Sequence, residues 1–208
     1  MAYPTISAPY GFKPINRYDG IPYAGATLQY PVTSGQAIYY GDTVKLVNGG
    51  TISQSGATTS GTILGVFVGC QYVNGQGQTV QAQYVPSSGV TNPIAYVVVD
   101  PVAEFKVAVT TTGNTSVVTG ANATIVGTNV AQTSYTAGSS TTGDSVAAIV
   151  LPANGAGNAT TLPFRVVSVV PDTAYANATG VLFYPEVIVK VNTSTQQLLA
   201  DTGVLYTA

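Results

Sequence analysis

The sequence predicts an all-β protein: an antiparallel β-barrel or β-sandwich, divisible into two β subdomains behind an extended, Pro/Tyr-rich N-terminal arm. Three observations lead there. Short β-branched and aromatic runs recur along the chain, Gly and Pro separate them, and no stretch holds a 3.6-residue apolar period for the roughly 11–18 positions an amphipathic helix needs. The boundaries read as an arm over residues 1–35, a β subdomain over 36–100 and a second over 101–208. The last strands of this second unit are candidates to pair with the first.

The arm is set apart by Pro4, Pro9, Pro14, Pro22 and Pro31, interleaved with Tyr3, Tyr10, Phe12, Tyr18, Tyr23 and Tyr30. Prolines at that density forbid a helix and disfavour a central strand. Two placements are open for the aromatics. They fill grooves on their own domain, or they lie on a neighbouring subunit or shell, where rigid rings give contact area at low entropy cost. Under the second reading these six are the contact residues, and removing residues 1–30 leaves a folded β protein.

Residues 37–52 (AIYYGDTVKLVNGGTI) read as a hairpin turning at Asn48-Gly49, a dipeptide suited to a type I′ turn. Residues 62–70 (TILGVFVGC) form an apolar strand whose glycines suggest bulges or close backbone approach. A second hairpin spans residues 71–85 around Asn74-Gly75. Residues 86–93 read as a loop and 94–99 as a buried strand. Residues 103–110 alternate, with Phe105, Val107 and Val109 on one face. Residues 113–143, rich in Thr, Ser, Asn and Gly, read as short strands between outward-pointing loops. Strands follow at 146–151, 164–170, 181–184 and 186–191, and 194–200 (STQQLLA) suits a helical turn.

Composition excludes much. Charged residues make up 7% of the chain, against about 25% ordinarily, so the exterior must be neutral Ser, Thr, Asn, Gln and Gly, or be hidden in an assembly. The net charge of −2 offers no basic stripe for nucleic acid. No apolar run reaches the roughly 18 residues of a membrane span. The opening MAYPTISAPYGF has neither a positive n-region nor an apolar h-region, so synthesis in a host cytoplasm without a secretory signal is expected.

The chemistry is equally bare. There is no His, which removes Ser-His-Asp and Cys-His catalysis and, with the single Cys70, any Cys/His zinc site. Lys13, Lys45, Lys106 and Lys190 lie in no Ser-Lys motif. Cys70, in an apolar strand, reads as an inert core thiol. Among the carboxylates, Asp42, Asp100, Asp144 and Asp172 sit at turns, and Glu104 and Glu186 alternate with apolar residues as solvent-facing strand positions. No pair marks a glycosidase, and no Asp-x-Asp run marks a calcium loop. Asn-x-Ser/Thr sequons at Asn114, Asn122, Asn158, Asn177 and Asn192 follow from Thr-rich composition. The expectation is a non-enzyme without cofactor or metal.

Six blocks resemble virion structural proteins of marine podoviruses and myoviruses: YGFKP (10–14), YGDTVKL (40–46), GTILGVFVGCQY (61–72), AYVVVDPVAEFKV (95–107), FRVVSVVPD (164–172) and EVIVKVN (186–192). The resemblance implies a head decoration, or cement, protein that binds the outside of a bacteriophage capsid. Its implied partners are the major capsid protein and sister subunits, in a homotrimer, with neither nucleic acid nor membrane. The family's Asn-x-His after the last core strand is here Asn192-Thr193-Ser194, so that position's role does not carry over. The rival expectation, sharing the β architecture and low charge, is a tail or head-fibre adhesin that binds host glycans.

Overall fold

The computed structural model describes residues 8–56, 62–110, 125–133, 138–150, 160–173 and 184–199. Their strands are β1 (Lys13–Arg17), β2 (Leu28–Pro31), β3 (Thr43–Val47), β4 (Thr51–Gln54), β5 (Gly65–Asn74), β6 (Thr79–Ala82), β7 (Val90–Val98), β8 (Ala103–Thr110), β9 (Asn129–Gln132), β10 (Ile149–Val150), β11 (Phe164–Val169) and β12 (Glu186–Val191). The protein is all-β. Among the described residues no helix is long and apolar enough to cross a membrane.

The strands form two sheets. One runs β1-β8-β10-β9-β11-β12, and β12 returns to pair with β8, closing a five-strand barrel. β8 is the seam. One edge carries β12, antiparallel over residues 104–108. Its other edge carries β1 along residues 103–106 and then β10, parallel, at Val109 and Thr110. The alternation of β8 turns Phe105, Val107 and Val109 into the barrel, where they meet Val130, Ile149, Phe164, Val166, Val187 and Val189.

The second sheet runs β2-β7-β5-β3-β4, with β6 beside β3 on the same edge of β5. A parallel bridge, Val32↔Ile52, curls the β2 end back toward β4. Around this sheet lies a second core of Ile38, Val44, Ile52, Leu64, Phe67, Cys70, Val85 and Val97.

The middle strands serve both cores. Val66 and Val98 face the barrel cluster, while their neighbours Phe67 and Val97 face the other, as the two-residue strand period dictates. A bulge between Phe67 and Gly69, with Gly69 at φ 150°, resets this alternation so that Cys70 joins Phe67 on its face.

Several local expectations are corrected. The first hairpin turns through three residues, since Val47 pairs with Thr51, and Gly49 and Gly50 both take positive φ; the two-residue type I′ turn is absent. Residues 90–93, expected in a loop, open β7. There the chain carries an extra residue, Asn92 at φ 50°, and Pro93 sits at the resulting bulge, where a missing amide disturbs the ladder least. Of the strand expected at 146–151, residues 146–148 lie outside any strand and Ile149–Val150 form one, while 151 lies outside the described residues. Residues 193–195 and 197–199 form separate turns around a bridge at Gln196, not a helix. Within 113–143, one short strand of the kind expected is found at 129–132, with Asn129, Val130 and Gln132 buried in the barrel; residues 113–124 and 134–137 lie outside the described residues, as do 181–183.

Candidate functional site

The aromatics of residues 1–35 divide by position. Tyr3 lies outside the described residues. Phe12 is fully buried and stacks on Phe164 of β11, ring centroids 4.5 Å apart and planes within 17°. This placement depends on Gly11 and Gly41, whose backbones meet so closely that a Cβ on Gly11 would lie 2.9 Å from the Gly41 carbonyl oxygen. Both hold positive φ, and the Phe12 amide donates to the Gly41 carbonyl at 2.9 Å. Phe12 is therefore a core residue, unavailable to any partner.

Tyr10 is half-buried, and its hydroxyl donates to Glu186 Oε1. Burial, reinforced by that carboxylate, pushes the phenol well above its ordinary pKa. Tyr23 donates to the Ala26 carbonyl and packs against the barrel core, and Tyr30, in β2, packs against the second core. Tyr18 is different: 56% exposed, with Lys190 Nζ 4.8 Å from its ring centroid. Removal of residues 1–30 would thus take β1, all of β2 but Pro31 and a core aromatic with it, and would not leave the β protein intact.

A belt of charge surrounds β1, β8 and β12. In register, Glu104 faces Lys190 across β8 and β12 and Asn16 across β8 and β1, while Lys106 faces Lys13. Lys106 Nζ lies 3.1 Å from Glu186, Lys13 Nζ lies 2.6 Å from Asp144 and 3.9 Å from the Tyr40 ring centroid, and Arg17 lies 3.1 Å from Asp19 and 3.5 Å from Asp100. Glu104 and Glu186 are only 8% and 3% exposed, which overturns their expected solvent-facing positions. Tyr10 and Lys106 close over Glu186, while Lys190 stands opposite Glu104; strand alternation alone does not reveal that cover. Burial raises the Glu104 pKa and Lys190 works against that rise.

Asp42 ties the two sheets together. One carboxylate oxygen accepts from the Tyr39 amide and from Gln54 Nε2, both at 2.8 Å, and the other accepts from Ser145 Oγ at 2.5 Å. Burial outweighs these three donors and raises its pKa to about 6. Gln196 and Gln197 make a second tie. Gln196 Nε2 donates to the Leu64 carbonyl at 3.1 Å, and the Gln197 amide both accepts from Leu46 N at 2.5 Å and donates to Leu46 O at 3.2 Å. Sequence reading missed these glutamines, because their signal was only a short polar stretch after the last strand.

Cys70 is buried and free, and burial pushes its thiol up to about 12, far from a reactive thiolate. Among the described residues no group of three His, Cys, Asp or Glu side chains gathers to hold a metal. Recesses do open among the described residues. A neutral cleft of about 660 Å³ opens between residues 31–36 and 85–94, bordered by Thr33, Ser34, Gln36, Ser87, Thr91 and Asn92. A smaller one, about 140 Å³, is lined by Arg165 and Lys190 with Asn129, Asn192, Thr160 and Ser194. Compared with known proteins, the chain matches no family model, no curated protein and no solved structure.

Proposed function

We propose that this chain is a structural virion protein, a decoration or cement protein that binds the outer surface of a bacteriophage head, with the major capsid protein and its own copies, as a homotrimer, for partners. The observation that carries the reading is where the exposed apolar side chains fall. Tyr18, Ile21 and Leu28, at 56%, 55% and 48% exposure, fall in the short stretch from the end of β1 to the first residue of β2; among the described residues the other exposed large apolar side chains are Leu198 and Leu199, at 51% each after β12, and Val126, at 45% before β9. The stretch from β1 to β2 is rooted at both ends, by β1 in the barrel sheet and β2 in the other. It is therefore an anchored segment that presents apolar side chains, not a free arm. The ion pairs of the charge belt neutralise half of the few ionic groups against one another, which supports an exterior of low net charge suited to many copies side by side on a lattice.

The test is co-sedimentation with purified heads stripped of the protein. Wild type should bind at a copy number comparable to that of the shell subunits and raise the heads' thermal tolerance. The triple variant Tyr18→Ser, Ile21→Ser, Leu28→Ser should fold and fail to bind; equal binding by both would sink this contact surface. The neutral cleft favours the second reading, a tail or head-fibre adhesin, since its hydroxyl and amide groups match those of neutral glycans. That reading predicts binding of the isolated protein to host cells, unaffected by the triple variant.

A further inference from the structure

We infer that the small recess at the β11–β12 end of the barrel binds a tetrahedral oxyanion, phosphate or sulfate, held between Arg165 and Lys190. These residues are direct partners in the antiparallel register of β11 and β12. Like charges placed directly opposite repel and destabilise a sheet unless something negative sits between them. Among the described residues Glu104 answers from the far side of Lys190 on β8, and the Tyr18 ring lies 4.8 Å from Lys190 Nζ; the row Arg165, Lys190, Glu104 still keeps a surplus positive charge in a chain of net charge −2.

Among the described residues, neither Arg165 nor Lys190 has a carboxylate within ion-pair distance. Arg165 is held by one hydrogen bond, from Nε to Asn129 Oδ1 at 3.1 Å, and the same oxygen accepts from Asn192 Nδ2 at 3.2 Å. Asn129 thereby fixes the guanidinium by its inner nitrogen. The two outer nitrogens, with no partner among the described residues, remain for a ligand. Thr193, Thr160 and Ser194, whose hydroxyl donates to the Thr160 carbonyl at 2.9 Å, complete the lining, and at about 140 Å³ the recess admits one such group and little more. Cationic donors on two facing strands, a guanidinium fork and an ammonium, suit an oxyanion. The ion can be free or the terminal ester of a sugar chain; the chemistry of capture is shared.

The experiment compares thermal melts and calorimetric titrations with sodium sulfate or phosphate against sodium chloride at matched ionic strength. Wild type should gain melting temperature and saturate with either oxyanion. Arg165→Gln and Lys190→Gln should each weaken binding at least tenfold, while Lys45→Gln, exposed on β3, should not. Without oxyanion, Arg165→Gln should melt above wild type, because the repulsion is gone; with sulfate the order should reverse. Dextran sulfate against plain dextran separates the sources: capture of the sulfated chain, lost in Arg165→Gln, assigns the ester, and capture of the free ions alone assigns the ion. An equal oxyanion response in wild type and Arg165→Gln, or none beyond chloride, overturns the site.

Discussion

Phe12 and Phe164, 152 positions apart in sequence, stack with ring centroids 4.5 Å apart and join the segment before β1 to the barrel wall. Phe12→Ala should cost about 3–5 kcal/mol of unfolding free energy, the usual price of an aromatic removed from a close-packed core. Denaturant melts followed by tyrosine fluorescence measure it. A loss below about 1 kcal/mol would mean that the N-terminal segment is not part of the core.

Asp42 should make stability rise as pH falls. Its carboxyl has a pKa near 6 in the fold against an ordinary 3.8, so between those values the folded state holds a proton that the unfolded chain has released. The contribution is present in full below pH 4, and is lost as pH rises through 6. The full effect is worth up to about 3 kcal/mol. Urea midpoints at pH 7 and pH 5 test it: the midpoint should be higher at pH 5, and Asp42→Asn should flatten that difference.

Gly65 and Gly75 provide a matched pair. A Cβ on Gly65 would lie 2.1 Å from the Val98 carbonyl oxygen, inside the β5–β7 ladder, whereas one on Gly75 meets nothing within 4 Å. Gly65→Ala should destabilise by about 3 kcal/mol or prevent folding, and Gly75→Ala should change stability by under about 0.5 kcal/mol. Expression and thermal melts of the two variants distinguish them.

Gln197 stands in for a missing strand. β5 pairs with β3 only at Thr43 and Val44, and the Gln197 amide satisfies both backbone groups of Leu46. Gln197→Ala should lose about 1–3 kcal/mol by leaving that donor and acceptor unmet. Hydrogen exchange at the Leu46 amide should accelerate in the variant; unchanged protection would show that the side chain is dispensable.

Local pattern made the strand set legible. Residues 103–110 and 186–191 alternate cleanly and became β8 and β12 with the same limits. Pairing across distance was not legible. Nothing near Gly11 announces Gly41, and nothing near Glu186 announces Tyr10, because such neighbours meet only after the sheets have curled. Proline density pointed to an arm, yet Pro14 and Pro31 are both accommodated in strands, at a register irregularity of β1 and at the end of β2. Exposure was legible in the same partial way. Tyr18 and Phe12 belong to one aromatic series in the sequence, and only the register of β1 against β8 places one outside and the other in the core.

The closure of the barrel between β8 and β12 also sets an order of events during synthesis. The sheet spanning β2 to β7 can pair as soon as residue 98 has left the ribosome, but its barrel-facing side, with Val66 and Val98, then has nothing to cover it. Cover requires β12, whose last residue is Val191, and at roughly 5–20 residues per second that delay is on the order of ten seconds. Throughout it the N-terminal half carries one face of an unfinished core. The C-terminal half, on emerging, acts as its tethered chaperone.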